Sequence, residues 1–266
     1  MNRAAFAEEL RLLASRRSAQ AVLAVSVALG LAVVLAGMAW RAFAPVPPAG
    51  MGVDLRGSGV QVAGWGLVVR NFFVLPLLLV LATASSFAGD LEDRSLRELL
   101  LAPVGRAEVL VTRLFALATL ALASNLATLL VAVPLGGALL GLGDDLGRLV
   151  LGYGASALSD MALLAAATFV ALLTRSTSGT VVTLTFGLAV DLVVRTALRS
   201  SAGLVAFGIT LPFAPERLVP LTFGAALSCW DGWQDGYEMI KFFGLFAWGA
   251  LFFALARLRF GHTEVT

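Results

Sequence analysis

Residues 89–113 read Gly-Asp-Leu-Glu-Asp-Arg-Ser-Leu-Arg-Glu-Leu-Leu-Leu-Ala-Pro-Val-Gly-Arg-Ala-Glu-Val-Leu-Val-Thr-Arg, a charged run wedged between two long apolar segments. Its first part has the marks of a short helix. Asp90 stands at the N-cap position, Glu92 and Asp93 place negative charge in the first turn, and Pro103 closes the segment. Asp93 and Arg97 are spaced i,i+4 with the acid first, the favourable order for a helical ion pair. Leu96, Leu99 and Leu100 form a narrow apolar stripe on the other side. A second helix is expected from about Ala107, running into the next apolar segment. An amphipathic helix held short between two spans is a handle for a partner. The candidate docking residues are therefore Asp90, Glu92, Asp93, Arg94, Leu96, Arg97, Glu98, Leu99, Leu100 and Pro103.

The flanks set the class. The 266 residues are 59% hydrophobic and only 14% charged, and the mean hydropathy of +0.91 lies far above that of soluble domains. This is the composition of a polytopic, all-α membrane protein. A net charge of +2 gives no case for nucleic acid. One Cys excludes an intrachain disulfide framework, and one His excludes a His-based metal site. Lys241 is the only Lys and follows no Gly-rich loop, so the chain has no P-loop for ATP. No cofactor is expected in the chain itself.

Outward from the central run, six spans are predicted. Residues 1–19 carry Arg3, Arg11, Arg16 and Arg17, with Phe6, Leu10 and Leu13 on one face, which suggests a helix lying in the membrane interface. Residues 20–40 form the first span, too long an apolar run for a signal peptide. Residues 43–66, rich in Pro and Gly, read as an outer loop. The second span covers 68–88, with Pro76 expected to kink it and Arg70 expected to snorkel to the interface. The third covers 108–133, the fourth 149–173, and the fifth 179–198 after a tight turn at 174–178.

Between Arg199 and Gly236, the stretches 203–211 and 218–229 are apolar but too short to cross. Broken by Pro212, Pro215 and Pro220, they read as two short re-entrant helices, with Cys229 near the outer surface and Trp230, Trp233 and Tyr237 in an aromatic belt. The sixth span covers 237–256. The N-terminal segment, central run, short turn and tail hold Arg3, Arg11, Arg16, Arg17, Arg94, Arg97, Arg106, Arg113, Arg175, Arg257 and Arg259. By the positive-inside rule both termini are cytoplasmic. Residues 1–266 read as one transmembrane domain without an internal repeat.

The stretch Phe87 to Arg113 resembles the loop between the second and third membrane helices of the ABC-2 type permeases, the membrane subunits of one class of ABC transporter. Asp90, Glu92 and Asp93 supply that family's acidic start, Ser95-Leu96 its step, Leu99-Leu100-Leu101 its Leu-rich turn, and Pro103 with Val104-Gly105-Arg106 its close. Arg94 stands where the family usually has Gly, and Arg113 where Lys is common. The resemblance implies a non-catalytic permease subunit, exporter-like, in a bacterial cytoplasmic membrane. It implies a second permease copy or a homologous permease, and separate ATPase subunits that bind ATP and Mg. It also implies the pair of short outer helices before the last span.

Asp160, Asp191 and Arg195 are ionisable groups set well inside predicted spans. Asp160 is near the middle of the fourth, where a lone acid costs about 2.5–3.5 kcal/mol on insertion scales. It reads as lining a translocation path or a helix interface, or as a packing hydrogen bond to Ser156 or Ser159. Asp191 and Arg195, i,i+4 in the fifth span, are placed to neutralise each other. An ion-coupled secondary transporter using Asp160 or Asp191 is the competing function, although no repeat of hydropathy supports it. Enzyme-like fragments fail on chemistry. Gly154-Ala155-Ser156 has no membrane His as base, Gly141-Leu142-Gly143-Asp144 falls in an outer loop with no Tyr-Asp partner, and Trp233 interrupts the Asp231–Gly236 turn where a calcium loop needs oxygen.

Overall fold

A computed structural model describes residues 3–43, 57–92, 105–199, 215–232 and 238–262. The described chain is all helical, and six of its helices are long and apolar enough to cross a membrane. This is a multi-pass membrane protein. The predicted stretch 203–211, Trp233 and Tyr237, and residues Asp93 to Val104 of the central run all lie outside the described residues.

The N-terminal helix (Arg3–Ser15) leads at Arg16 into the first span (Arg17–Phe43). Phe6 and Leu10 pack against the protein core beside buried Leu13, so this helix docks its apolar face on its own chain. Within a bilayer, lipid is as apolar as leucine, and helices associate through small residues that let backbones approach. The first span shows this stripe: Ala19, Val22, Ser26, Gly30, Val33, Val34 and Gly37 are its buried positions. A Cβ on Gly30 would stand 3.0 Å from the Thr128 carbonyl oxygen and from Val131 Cβ. The Thr128 hydroxyl donates to the Ser26 carbonyl at 3.2 Å. A larger residue there would make the third span give way by a few tenths of an ångström.

The second span belongs to a longer rod. Helical turns from Gly59 to Val69, a π segment from Arg70 to Val74, α-helix from Leu75 to Ala84, a second π segment from Ser85 to Gly89 and a last turn Asp90–Glu92 run end to end. Two sequence expectations change here. The expected outer loop is shortened because the rod begins at Gly59, whose N–H donates to Gly141 O at 2.7 Å while Val60 N–H donates to Leu142 O at 3.1 Å. Asp90 does not cap a new helix; the rod carries on through it with helical φ/ψ. The kink expected at Pro76 appears as the π segment just before it. Proline has no N–H for the i−4 carbonyl and its ring crowds that carbonyl, so the ladder widens there.

The third span (Arg106–Leu140) continues through Pro134 and ends seven residues later than expected. Rod and third span are each about 50 Å long at 1.5 Å per residue, well beyond the ~30 Å hydrocarbon layer. They meet at one tip where Gly59 lies directly on Gly136. The fourth span (Leu146–Thr174) is the central pillar, with 72% of its apolar window buried. Its run of alanines at 155, 157, 162, 165, 166, 167 and 171 lets the other spans close around it. The fifth (Thr177–Arg199) is almost bare, with 6% buried. The sixth (Met239–Gly261) packs Gly249 on Ala162 and stacks Trp248 on Phe252.

The stretch expected as one short helix over 218–229 is three pieces: a 3-10 turn (Pro215–Leu221), Phe223–Leu227 and Cys229–Asp231. Trp248 Nε1 donates to the Leu221 carbonyl at 2.8 Å and ties them to the sixth span. Contacts from Arg16 to Asp90 and from Arg106 to the Gly261 carbonyl bring both chain ends to the end of the bundle where the central run emerges.

Candidate functional site

Two polar clusters interrupt the apolar bundle. The first lies where the central run leaves it. Asp90 is buried at the end of the rod and faces two guanidinium groups. Arg16 Nη2 donates to Asp90 Oδ1 at 2.9 Å and to Oδ2 at 3.0 Å. Arg113 Nη1 pairs with Asp90 Oδ2 at 2.7 Å, and Arg113 Nε pairs with Glu9 Oε1 at 3.0 Å. Two acids and two arginines therefore close into a neutral knot, the form in which buried charge is tolerated. The π segment beside it supplies further acceptors: Arg16 Nη1 donates to the Ser85 carbonyl at 2.7 Å, and Arg113 Nη1 to the Ser86 carbonyl. Arg113 also lies over the Phe87 ring, 5.8 Å from its centre. The knot fastens the N-terminal helix, the first span, the rod and the third span at one point.

Two residues on, Glu92 points to another helix. Its Oε1 accepts from Thr177 N–H at 3.1 Å and its Oε2 from the Thr177 hydroxyl at 3.2 Å. A carboxylate at the first N–H groups of a helix satisfies donors that have no intrahelical partner and complements the helix dipole. Of the predicted docking residues, Asp90 and Glu92 are thus turned to the bundle, one inward and one to the fifth span. Asp93, Arg94, Leu96, Arg97, Glu98, Leu99, Leu100 and Pro103 lie outside the described residues.

The second cluster is deep. From Asp160 to the end of its span at Thr174 is about 21 Å at 1.5 Å per residue, well inside the hydrocarbon thickness. Arg70 Nη2 donates to Asp160 Oδ2 at 2.7 Å, and Asn125 Nδ2 donates to the same oxygen at 2.7 Å. Arg70 also donates to Ser124 Oγ at 2.9 Å, to Ser156 Oγ at 2.8 Å and to Asn71 Oδ1 at 2.6 Å. The expectation that Arg70 snorkels is overturned: it is among the largest fully buried side chains. The π segment starting at Arg70 sits where the second, third and fourth spans meet. Nor does Asp160 bond Ser156 or Ser159. Ser156 serves Arg70, and Ser159 donates to the Ala155 carbonyl at 3.1 Å and lies 3.2 Å from Cys229 Sγ.

That last contact revises Cys229 too. It is buried within the chain, more than the expected surface position suggests, and burial pushes its thiol up from the ordinary value. Asp191 and Arg195 form the predicted pair, 2.8 Å apart along the fifth span, with Gly224 packed directly on them. A Cβ there would meet the Asp191 carboxylate and the Arg195 guanidinium, so a larger residue would make those side chains shift. Sequence reasoning missed the Arg70–Asp160 pair because it weighed each span alone. The available signal was polar residues recurring on three neighbours: Arg70-Asn71, Ser124-Asn125 and Ser156 with Asp160. No group of His, Cys, Asp and Glu among the described residues is arranged to hold a metal.

The fold and these clusters define a multi-pass helical membrane protein with two internal charge clusters. No protein-family model and no curated protein matches the chain.

Proposed function

We propose that this chain is the permease subunit of an ATP-driven transporter of the ABC-2 type, working as an exporter, with ATP hydrolysis on a separate ATPase subunit. The observation that carries the reading is how the central run is mounted. The rod ends at Glu92 and the third span starts at Arg106, the two longest helical stretches described, and the Glu9–Arg16–Asp90–Arg113 knot anchors both of these ends. A short segment on such a mount transmits a push instead of absorbing it. Its sequence carries the ABC-2 pattern, and its Leu96, Leu99 and Leu100 stripe suits a partner's surface. The end bearing the knot and both termini is the cytoplasmic one by its arginines, in a bacterial cytoplasmic membrane. Two permeases, copies or relatives, assemble with two ATPases around the substrate.

The ion-coupled alternative needs an intramembrane carboxylate that is free to exchange its charge. Asp160 is held by Arg70 and Asp191 by Arg195, so neither acid is offered to a travelling ion.

The test is purification in mild detergent followed by reconstitution. The chain is expected to bring a nucleotide-binding subunit in fixed ratio and to transport only with ATP. Leu99→Asp with Leu100→Asp is expected to insert normally and lose both the subunit and transport. Transport by the chain alone, driven by a proton or sodium gradient, refutes the proposal.

A further inference from the structure

We propose that Glu92 is a positioning residue that ties the start of the fifth span to the base of the central run. The inference rests on the reading of that run as the place where an ATPase pushes, and it adds which span receives the push. Three observations carry it. First, Glu92, near the start of the run, holds Thr177 through both backbone N–H and hydroxyl, with Gly89 beside it; a Cβ on Gly89 would be 3.5 Å from the Thr177 hydroxyl oxygen. Second, the fifth span is joined to the fourth by Arg175 and Ser176 alone, and Arg175 has a left-handed φ of 51°. That turn is short, Thr174 Oγ1 lies 3.0 Å from Thr180 Oγ1 across it, and Thr177 is the first helical residue after it. Third, the fifth span buries 6% of its apolar window against 72% for the fourth, so few contacts resist its displacement.

Asp90 and Glu92 therefore divide the base of the run between two outputs. Asp90 is locked into the knot with the first and third spans. Glu92 reaches to the span with the smallest buried share among the six. A movement of the run is passed to Thr177 directly and on along the fifth span, whose Val181 and Leu184 pack on the fourth.

The test uses the full chain in lipid nanodiscs with Cys229→Ser, and nitroxide labels on Ala107→Cys and Val182→Cys, both exposed positions. Wild type is expected to give one narrow distance by pulsed electron spin resonance. Glu92→Ala is expected to broaden it, with the detached population rising about tenfold, the worth of one hydrogen bond to a charged acceptor. Glu92→Gln keeps an oxygen for the Thr177 N–H and is expected to restore the narrow distance. Thr177→Val is expected to broaden it and to add little on top of Glu92→Ala. In the ATPase complex, Glu92→Ala and Thr177→Val are both expected to keep subunit binding and lose ATP-driven transport. A narrow distance in Glu92→Ala overturns the tie. So does loss of ATPase binding in Glu92→Ala with wild-type transport in Thr177→Val, since Glu92 is then a docking contact. If no ATPase binds the wild-type chain, the permease reading fails, and the distance measurement still decides the tie.

Discussion

Apart from the knot, two acid–arginine pairs among the described residues lie within the spans, and they solve different problems. Arg70–Asp160 joins separate spans, with side chains 0% and 4% exposed, and recruits Ser124, Asn125 and Ser156. Asp191–Arg195 runs along one turn of the fifth span, with side chains 15% and 22% exposed, and needs no other span for its charge balance. A pair within one helix is complete as soon as that helix forms, so it lowers the cost of inserting the span. A pair between helices is complete only when the bundle assembles. It therefore specifies which spans meet and at what depth.

The sharpest way to break this comparison is to remove one partner of the deep pair. Asp160→Leu leaves the Arg70 guanidinium buried and unpaired, which costs about 3–5 kcal/mol. Unfolding in detergent should show a large loss of stability, and adding Arg70→Met should recover much of it, because the uncompensated charge is gone. A double variant no more stable than Asp160→Leu alone would show that the pair does not act as a unit. Asp90→Ala comes next. It strands Arg16 and Arg113 together, but in a partly solvated knot where hydrogen bonds to charged groups are worth about 1.5–3 kcal/mol. Its loss should be read in the proteolysis of the N-terminal helix before global unfolding, because Glu9 and Arg113 hold that helix down.

Asp191→Asn is the smallest of the three. Both partners sit on one turn of one helix, so no other span is left with an unpaired charge, and Asn keeps an oxygen near Arg195. Its melting curve should nearly overlay that of wild type. A loss as large as that of Asp160→Leu would mean that the fifth span depends on a neighbour at Asp191 beyond Gly224.

The span count and helical class were legible in the sequence because hydropathy over some twenty residues is a property of each segment by itself. So was Asp191–Arg195, whose partners are four residues apart. What was not legible depended on neighbours. Arg70 looked like a snorkelling residue because its distance from the apolar core was judged along its own helix. Gly59 looked like loop because its helix is held by Gly141 and Leu142 carbonyls of another segment. Asp90 looked like an N-cap because nothing local reveals Arg16 and Arg113. Local chemistry was readable; the pairings that close in space were not.

Cys229 offers a reporter that separates the two pairs without unfolding the protein. Its sulfur lies 3.2 Å from the Ser159 hydroxyl and 3.6 Å from the Ala155 carbonyl, one residue and five residues from Asp160 on the same span. Only the thiolate reacts with maleimide, and burial holds the thiol protonated and covered. Wild type in the membrane should therefore label slowly, and raising the pH should speed it little until the packing itself loosens. Asp160→Leu disturbs the fourth span where Ala155 and Ser159 grip the sulfur, so labelling should accelerate. Asp191→Asn leaves that grip intact and should label at the wild-type rate. Equal rates in all three would place the deep pair and the Cys229 pocket in independent parts of the bundle. Equal acceleration in both variants would mean that the fifth-span pair also holds the short outer helices on the fourth span, through Gly224.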